Sequence, residues 1–226
     1  MNLTVEKNEL PAQLELEDRW ILSKYSRTVR AVTDYFEVYQ FDKAMKEVEG
    51  FIWHEFADNY VEMVKGRSDD AVRWTVYNVL LGSLKLLAPF MPHVTEEVYQ
   101  DRFRGIDGCR SIHLTSWPEP ILVDDDAEKA GDVLSDVLAG IRAWKSEKKI
   151  PLNAELAMIE LVGADAVLLE NAKMDIAETT KAAEVRIAPE AKLTEEVVGV
   201  KPVHAKLGPA FKAKAKAIAA AMESMD

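Results

Sequence analysis

The sequence predicts a mainly α protein: an antiparallel helical bundle followed by a small α+β C-terminal module. Three observations predict it. Apolar residues recur at steps of three and four as far as Lys148, the period of an amphipathic helix. The connections between these stretches are short, which makes consecutive helices antiparallel neighbours. From Ile150 the texture changes to short alternating runs set among helical ones, as in an α+β unit. The expected division is a linker over 1–13, a helical domain over 14–150 and the α+β module over 151–226.

The first helix is expected from about Leu14 to Tyr39, with Leu22, Tyr25, Val29, Val32, Phe36 and Tyr39 on its apolar face. Tyr39 at its end should bury its ring and keep its hydroxyl wet. Lys24, Arg27 and Arg30 fall on the other side. The next stretch, Gln40 to Arg67, is the one the bundle is organised around. Met45, Val48, Ile52, Phe56, Tyr60 and Met63 share one face, and Phe51, Trp53, Ala57 and Val64 widen it. A helix apolar on more than one side belongs in the middle of a bundle. Asp42 stands where an N-cap is expected, and Gly66 ends the helix with Lys65 and Arg67 at its negative pole. His54 is expected in a buried aromatic setting.

A third helix opens at Ser68 or Asp69, either of which can cap it, and buries Val72, Val76, Leu80, Ser83 and Leu87. Gly82 and Ser83 are small enough to admit a close neighbour. Pro89 and Pro92 stop it. Thr95 should cap a short fourth helix. Asp124, Asp125 and Asp126 open a fifth helix as N-terminal acids, with Val133, Val137, Ile141 and Trp144 inward. Beyond Pro151, strands are expected at Ala157 to Val162, Glu184 to Ile187 and Glu195 to Val203. Helices are expected at Ala164 to Asn171 and from Gly208 to about Met222.

Composition narrows the function. Hydrophobic residues make up 48% of 226, enough for a core, and the one cysteine, Cys109, fits a reducing, cytoplasmic setting without disulfides. No apolar run is long enough for a membrane span, and no signal peptide is seen, so no membrane partner is expected. The net charge of −11 argues against a protein that coats nucleic acid nonspecifically, though a local basic patch remains compatible with it. His54, His93, His113 and His204 show no metal-ligand spacing with one another or with Cys109. There is no nucleophile elbow, phosphate loop or dinucleotide fingerprint. No catalytic residue and no metal ligand is therefore assigned.

Three runs carry a resemblance: FIWHEFADNYVEMVK in the second helix, LLAPFMPHVTEEVYQ around the proline break, and SIHLTSWPEP after it. With the opening Asp18-Arg19-Trp20, they are similar to the helical anticodon-binding domain of class I aminoacyl-tRNA synthetases of the valyl, isoleucyl and leucyl group. NYVEMVK is similar to the valyl branch. Asn59 and Tyr99 each stand where the family usually has tryptophan, and the Tyr99 hydroxyl needs a partner. The resemblance implies the part of such a ligase that follows the catalytic domain, without its ATP-binding signatures or editing domain. The complete enzyme would join valine to its tRNA with ATP and magnesium, while this part, needing no cofactor itself, holds the anticodon stem-loop of valine tRNA. Its partners would be that tRNA and the catalytic domain of the same full-length chain. An isoleucyl or leucyl counterpart, and a helical scaffold that binds a protein and no RNA, are the rival readings.

Loop recognition needs aromatic or arginine faces for bases and cations for phosphates. Three clusters offer cations: Lys24, Arg27 and Arg30; Lys65, Arg67 and Arg73; and Arg142, Lys145, Lys148 and Lys149. The third matches a lysine-rich run in valyl enzymes and leads the three. Lys201, Lys206, Lys212, Lys214 and Lys216 make the C-terminal stretch locally basic, either as a solvated helix face or as a second RNA contact.

Overall fold

A computed structural model describes residues 10–151, 154–162, 170 and 173–188. They belong to one compact unit, Met1–Pro189. It is mainly α, as the periodicity predicts. Helix α1 is Leu16–Glu37 and α2 begins as Phe41–Gly50. Without a break α2 widens into a π-helical stretch, Phe51–Tyr60, and closes with an α turn, Val61–Met63. Then come α3 (Asp70–Leu87), α4 (Pro92–Arg102) and α5 (Asp125–Glu147). After α5, β1 (Ile159–Val162), α6 (Lys173–Thr180) and β2 (Val185–Ala188) form a two-stranded parallel unit, with Ile159 opposite Val185.

The core forms because α1 is packed on three sides. Trp20, Ile21, Leu22, Tyr25, Val29 and Val32 meet Val48, Phe51 and Tyr60 of α2, Val72 and Val79 of α3, and Leu134 and Leu138 of α5 in one buried cluster. Two glycines make these approaches possible. A Cβ on Gly82 would enter the Tyr25 ring, and one on Gly131 would strike Trp20. A smaller cluster, Tyr77, Leu81, Leu84, Tyr99, Phe103 and Ile112, fastens α4 to α3. The strap after α4 returns across α1, where the Ser26 hydroxyl accepts the N–H groups of Ile121 and Leu122 and donates to the Leu22 carbonyl.

Several sequence expectations need correction. Tyr39 is 81% exposed, because a left-handed φ of 58° turns its ring outward at the α1–α2 corner. Asp42 does not cap α2, which starts one residue before it, at Phe41. Trp53 is 58% exposed and His54 is exposed beside Asp58, its Nδ1 3.7 Å from the carboxylate. Both positions follow from the π stretch: its wider turn breaks the 3.6-residue period by which they were placed inward. Pro92 takes the first turn of α4, so Thr95 is no cap, and its hydroxyl bonds back to the Met91 carbonyl at 2.9 Å. On α5 the inward positions are Ala127, Ala130, Gly131, Leu134, Leu138 and Lys145, while Val133, Val137 and Ile141 flank them and Trp144 is exposed. Asp69 does cap α3, accepting the Val72 N–H at 3.1 Å, and Asp124 caps α5 through Ala127 at 2.9 Å. Helix α6 has no counterpart among the expected elements. The strand expected at Glu195 to Val203 and the helix after Gly208 lie outside the described residues, as does nearly all of the helix expected from Ala164.

Candidate nucleic-acid interface

The three basic clusters have different fates. In the first, α1 lies against α5, and the charges of the two helices are interleaved. Lys24 pairs with Asp132 at 2.8 Å, Arg27 with Glu128 at 2.6 Å and with Asp125, and Arg19 with Asp124 at 3.0 Å. Trp20 donates its indole N–H to the same Asp132 at 2.9 Å. Bonding to Glu128, then its charge, raises the Arg27 pKa. The acids expected only to start α5 thus also neutralise α1. Arg30, exposed one turn further on, makes no ion pair among the described residues.

The second cluster closes the opposite end of α2 around a buried carboxylate. Asp18 is fully buried and accepts from the Tyr60 hydroxyl at 2.7 Å, from Arg67 at 2.7 Å and from the Glu15 N–H at 3.3 Å. Arg67 also reaches Asp69 at 3.1 Å and Glu17 at 3.5 Å. Burial works against the Arg67 charge, but its bonds to Asp18 and Asp69 outweigh that and raise its pKa. Burial, then the neighbouring Asp18 charge, raises the Tyr60 pKa, so the phenol remains a neutral donor. Lys65 pairs with Glu62 at 3.2 Å, and Arg73 binds Asp70 and the Ser68 carbonyl. Arg67 is therefore a structural hub, corrected from its expected place on a phosphate surface.

The third cluster divides. Arg142 uses all three of its nitrogens internally: on the Leu138 carbonyl at 3.3 Å, the Asp58 carbonyl at 2.5 Å and the Asn59 amide oxygen at 2.6 Å. The last two lie in the π stretch, where Asn59 in turn donates to the His54 carbonyl five residues back at 2.8 Å. Asn59 is thus the amide that ties the π stretch to α5. Lys145 is only 2% exposed and donates to the Ala154 carbonyl at 2.8 Å and the Thr180 carbonyl at 3.3 Å. Burial, and then Lys181, lowers its pKa. Its amine fastens α5 to the β1–α6–β2 unit and is not presented to an external phosphate, so this expectation too is corrected. Lys148 and Lys149 are exposed at the C-terminal end of α5, where Lys149 turns left-handed with φ 56°.

Arg102, Arg104 and Arg110 at the end of α4, and the exposed aromatics Tyr39 and Trp53, lie outside the three expected clusters. A signal for the arginines was present: RFRGIDGCR places three of them around two glycines, a turn composition. Among the described residues, no group of three metal-ligating side chains converges and no helix is long and apolar enough to cross a membrane.

A family model described as the anticodon-binding domain of tRNA ligase matches residues 18–161. The chain belongs to that family. The match spans α1 to α5 and enters β1, so the anticodon-binding domain takes in the α1–α5 seam and the Asp18 hub. Among curated proteins, the valine–tRNA ligase of Methanothermobacter thermautotrophicus is 40% identical over 214 residues, 89% of this chain and 24% of the relative. That of Pyrococcus furiosus is 36% identical over 210 residues, 88% of this chain and 24% of the relative. That of Natronomonas pharaonis is 36% identical over 226 residues, 96% of this chain and 25% of the relative. The chain spans about a quarter of the length of the curated relatives it matches.

Proposed function

We propose that this anticodon-binding chain serves in a valine–tRNA ligase, holding the anticodon stem-loop of valine tRNA while a catalytic domain charges the acceptor end. One observation carries the reading: relatives named valine–tRNA ligase align with 88% or more of the chain. The complete enzyme would use ATP and magnesium in the cytoplasm, neither held by this part. The division into a helical domain over 14–150 and a smaller module over 151–226 belongs to the same proposal. The exposed cations Arg30 and Lys149 support phosphate contact from the clusters expected for it; Lys148 and Lys65 are exposed as well, Lys65 beside Glu62 at 3.2 Å. Arg27 is exposed too, but its charge is already answered by Glu128 and Asp125.

The test is a titration of the 226-residue chain with transcribed valine tRNA at two salt concentrations, beside the same tRNA carrying an isoleucine anticodon. The expected result is tighter binding to the valine anticodon and a log K that falls linearly with log salt. Equal binding to both would remove anticodon reading from the chain. No binding at low salt would favour a scaffold that contacts protein alone.

A further inference from the structure

We infer that the turn closing α4 is a phosphate-contact site for RNA, carried by Arg104 and Arg110. This rests on the tRNA-binding reading and names a surface that none of the expected clusters contains.

Helix α4 ends at Arg102, a four-residue helical turn follows at Arg104–Asp107, and Gly108 reverses the chain with φ 79°. A side chain would be strained at that φ. The reversal brings Arg110 back beside α4, where the Gln100 amide joins the two strands of the turn. Its nitrogen donates to the Arg110 carbonyl at 2.7 Å, and its oxygen accepts from Arg104 at 2.8 Å. Tyr99 supplies the second fastening. Its hydroxyl donates to Asp107 and lies within 3.2 Å of the Cys109 carbonyl. Burial, then the bond to Asp107, raises the Tyr99 pKa, so it stays a neutral donor.

The acids around the turn are already committed. Asp107 faces Tyr99, Asp101 pairs with Arg102 at 2.7 Å, and Glu96 accepts from Gln100, Ser111 and the Ile112 N–H. Arg104 and Arg110 are exposed, and among the described residues neither makes an ion pair. The Arg104 guanidinium is held by a neutral amide and Arg110 is anchored through its backbone carbonyl, so both keep their charge available to an anion. The bond to Gln100 also pre-orients the Arg104 side chain, so less of its freedom is lost on contact. Elsewhere in this acidic chain most arginines are answered from within: Arg19, Arg27, Arg67 and Arg73 by carboxylates, and Arg142 by carbonyl and amide oxygens. A planar guanidinium donates to two phosphate oxygens at once, a geometry suited to contact with a nucleic-acid backbone.

The test compares the full chain with its R104Q/R110Q variant, titrated with transcribed valine tRNA from low to moderate salt. Loss of two contacts should weaken binding by roughly tenfold at about 0.1 M salt and flatten the log–log slope by roughly 1.4 to 1.8. The R104K/R110K variant keeps the charge and should restore most of the slope. Circular dichroism melting should be the same for all three. If the parent binds tRNA and the glutamine variant keeps its slope, the α4 turn is not a contact and the tRNA reading stands. If the parent binds no tRNA at all, both readings fall together.

Discussion

Along the α1–α5 seam, Arg19, Lys24 and Arg27 each meet a carboxylate, whereas at the α4 turn Arg104 meets an amide and Arg110 meets no charge. The residue types are alike. The difference lies in what the fold sets opposite each cation. In a chain of net charge −11, a run of basic residues is first a set of internal partners. A surface for an anionic ligand is what remains after those pairs are made. The contrast is sharpest between Arg67, inside a network that closes the α2–α3 connection, and Arg110, at the rim of a glycine turn.

The comparison can be broken at its most buried point. Asp18→Ala removes the carboxylate shared by Tyr60 and Arg67, leaving a desolvated guanidinium and a buried hydroxyl. A loss of about 3–5 kcal/mol is expected in urea unfolding. A loss under 1 kcal/mol would mean that Arg67 is served as well by Asp69 and Glu17. A smaller effect is expected at Lys145→Met, which keeps the stem and deletes the amine bound to Ala154 and Thr180. It should cost about 1–3 kcal/mol and leave the salt slope of tRNA binding unchanged. A flatter slope would return Lys145 to the interface.

The smallest effect concerns pH. Burial works against the Asp69 charge, but bonds from Arg67 and the Val72 N–H outweigh it and hold the carboxyl below the usual range. Its folded pKa is depressed, so its contribution is complete above the ordinary carboxylate range. That contribution is lost as pH falls through the depressed folded value. Asp69→Asn keeps a cap and loses the charge. The gap between the two proteins should be under about 1 kcal/mol at neutral pH, given the exposure of Asp69. It should close in acid. A gap that stays constant from neutral to acid pH would show that the cap, and not the ion pair, accounts for it.

Much of the bundle was legible. The three-and-four period located α1 to α5, aspartates marked the starts of α3 and α5, and the prolines marked the break before α4. What failed was phase. The π stretch shifts the angular position of every residue within it, so Trp53 and His54 came out where a 3.6-residue period puts them inside. On α5 the true seam holds Leu134 beside Ala130 and Gly131, and the last two are small residues that attract less notice than Val133 or Trp144, Gly131 lying against Trp20. The interface was less legible than the fold because charge partners are remote: Arg19 and Asp124 stand 105 positions apart. No local pattern tells whether a lysine will be exposed, as at Lys149, or face two buried carbonyls, as at Lys145. Tyr99 is the informative exception. As a departure from a family tryptophan, its hydroxyl demanded a partner, and that partner is the turn carrying Arg110.

The separation of the α1–α5 seam has a consequence in time. A chain made from its N-terminus completes α1 roughly 5–20 s before the ribosome supplies α5, about a hundred residues later at 5–20 residues per second. Until then Trp20 lacks the glycine that receives it, and Arg19, Lys24 and Arg27 lack their acids. The nascent chain is therefore expected to pass through an interval in which α1 exposes Trp20 and carries three cations without their α5 partners. That interval ends only when Asp124, Glu128 and Asp132 emerge.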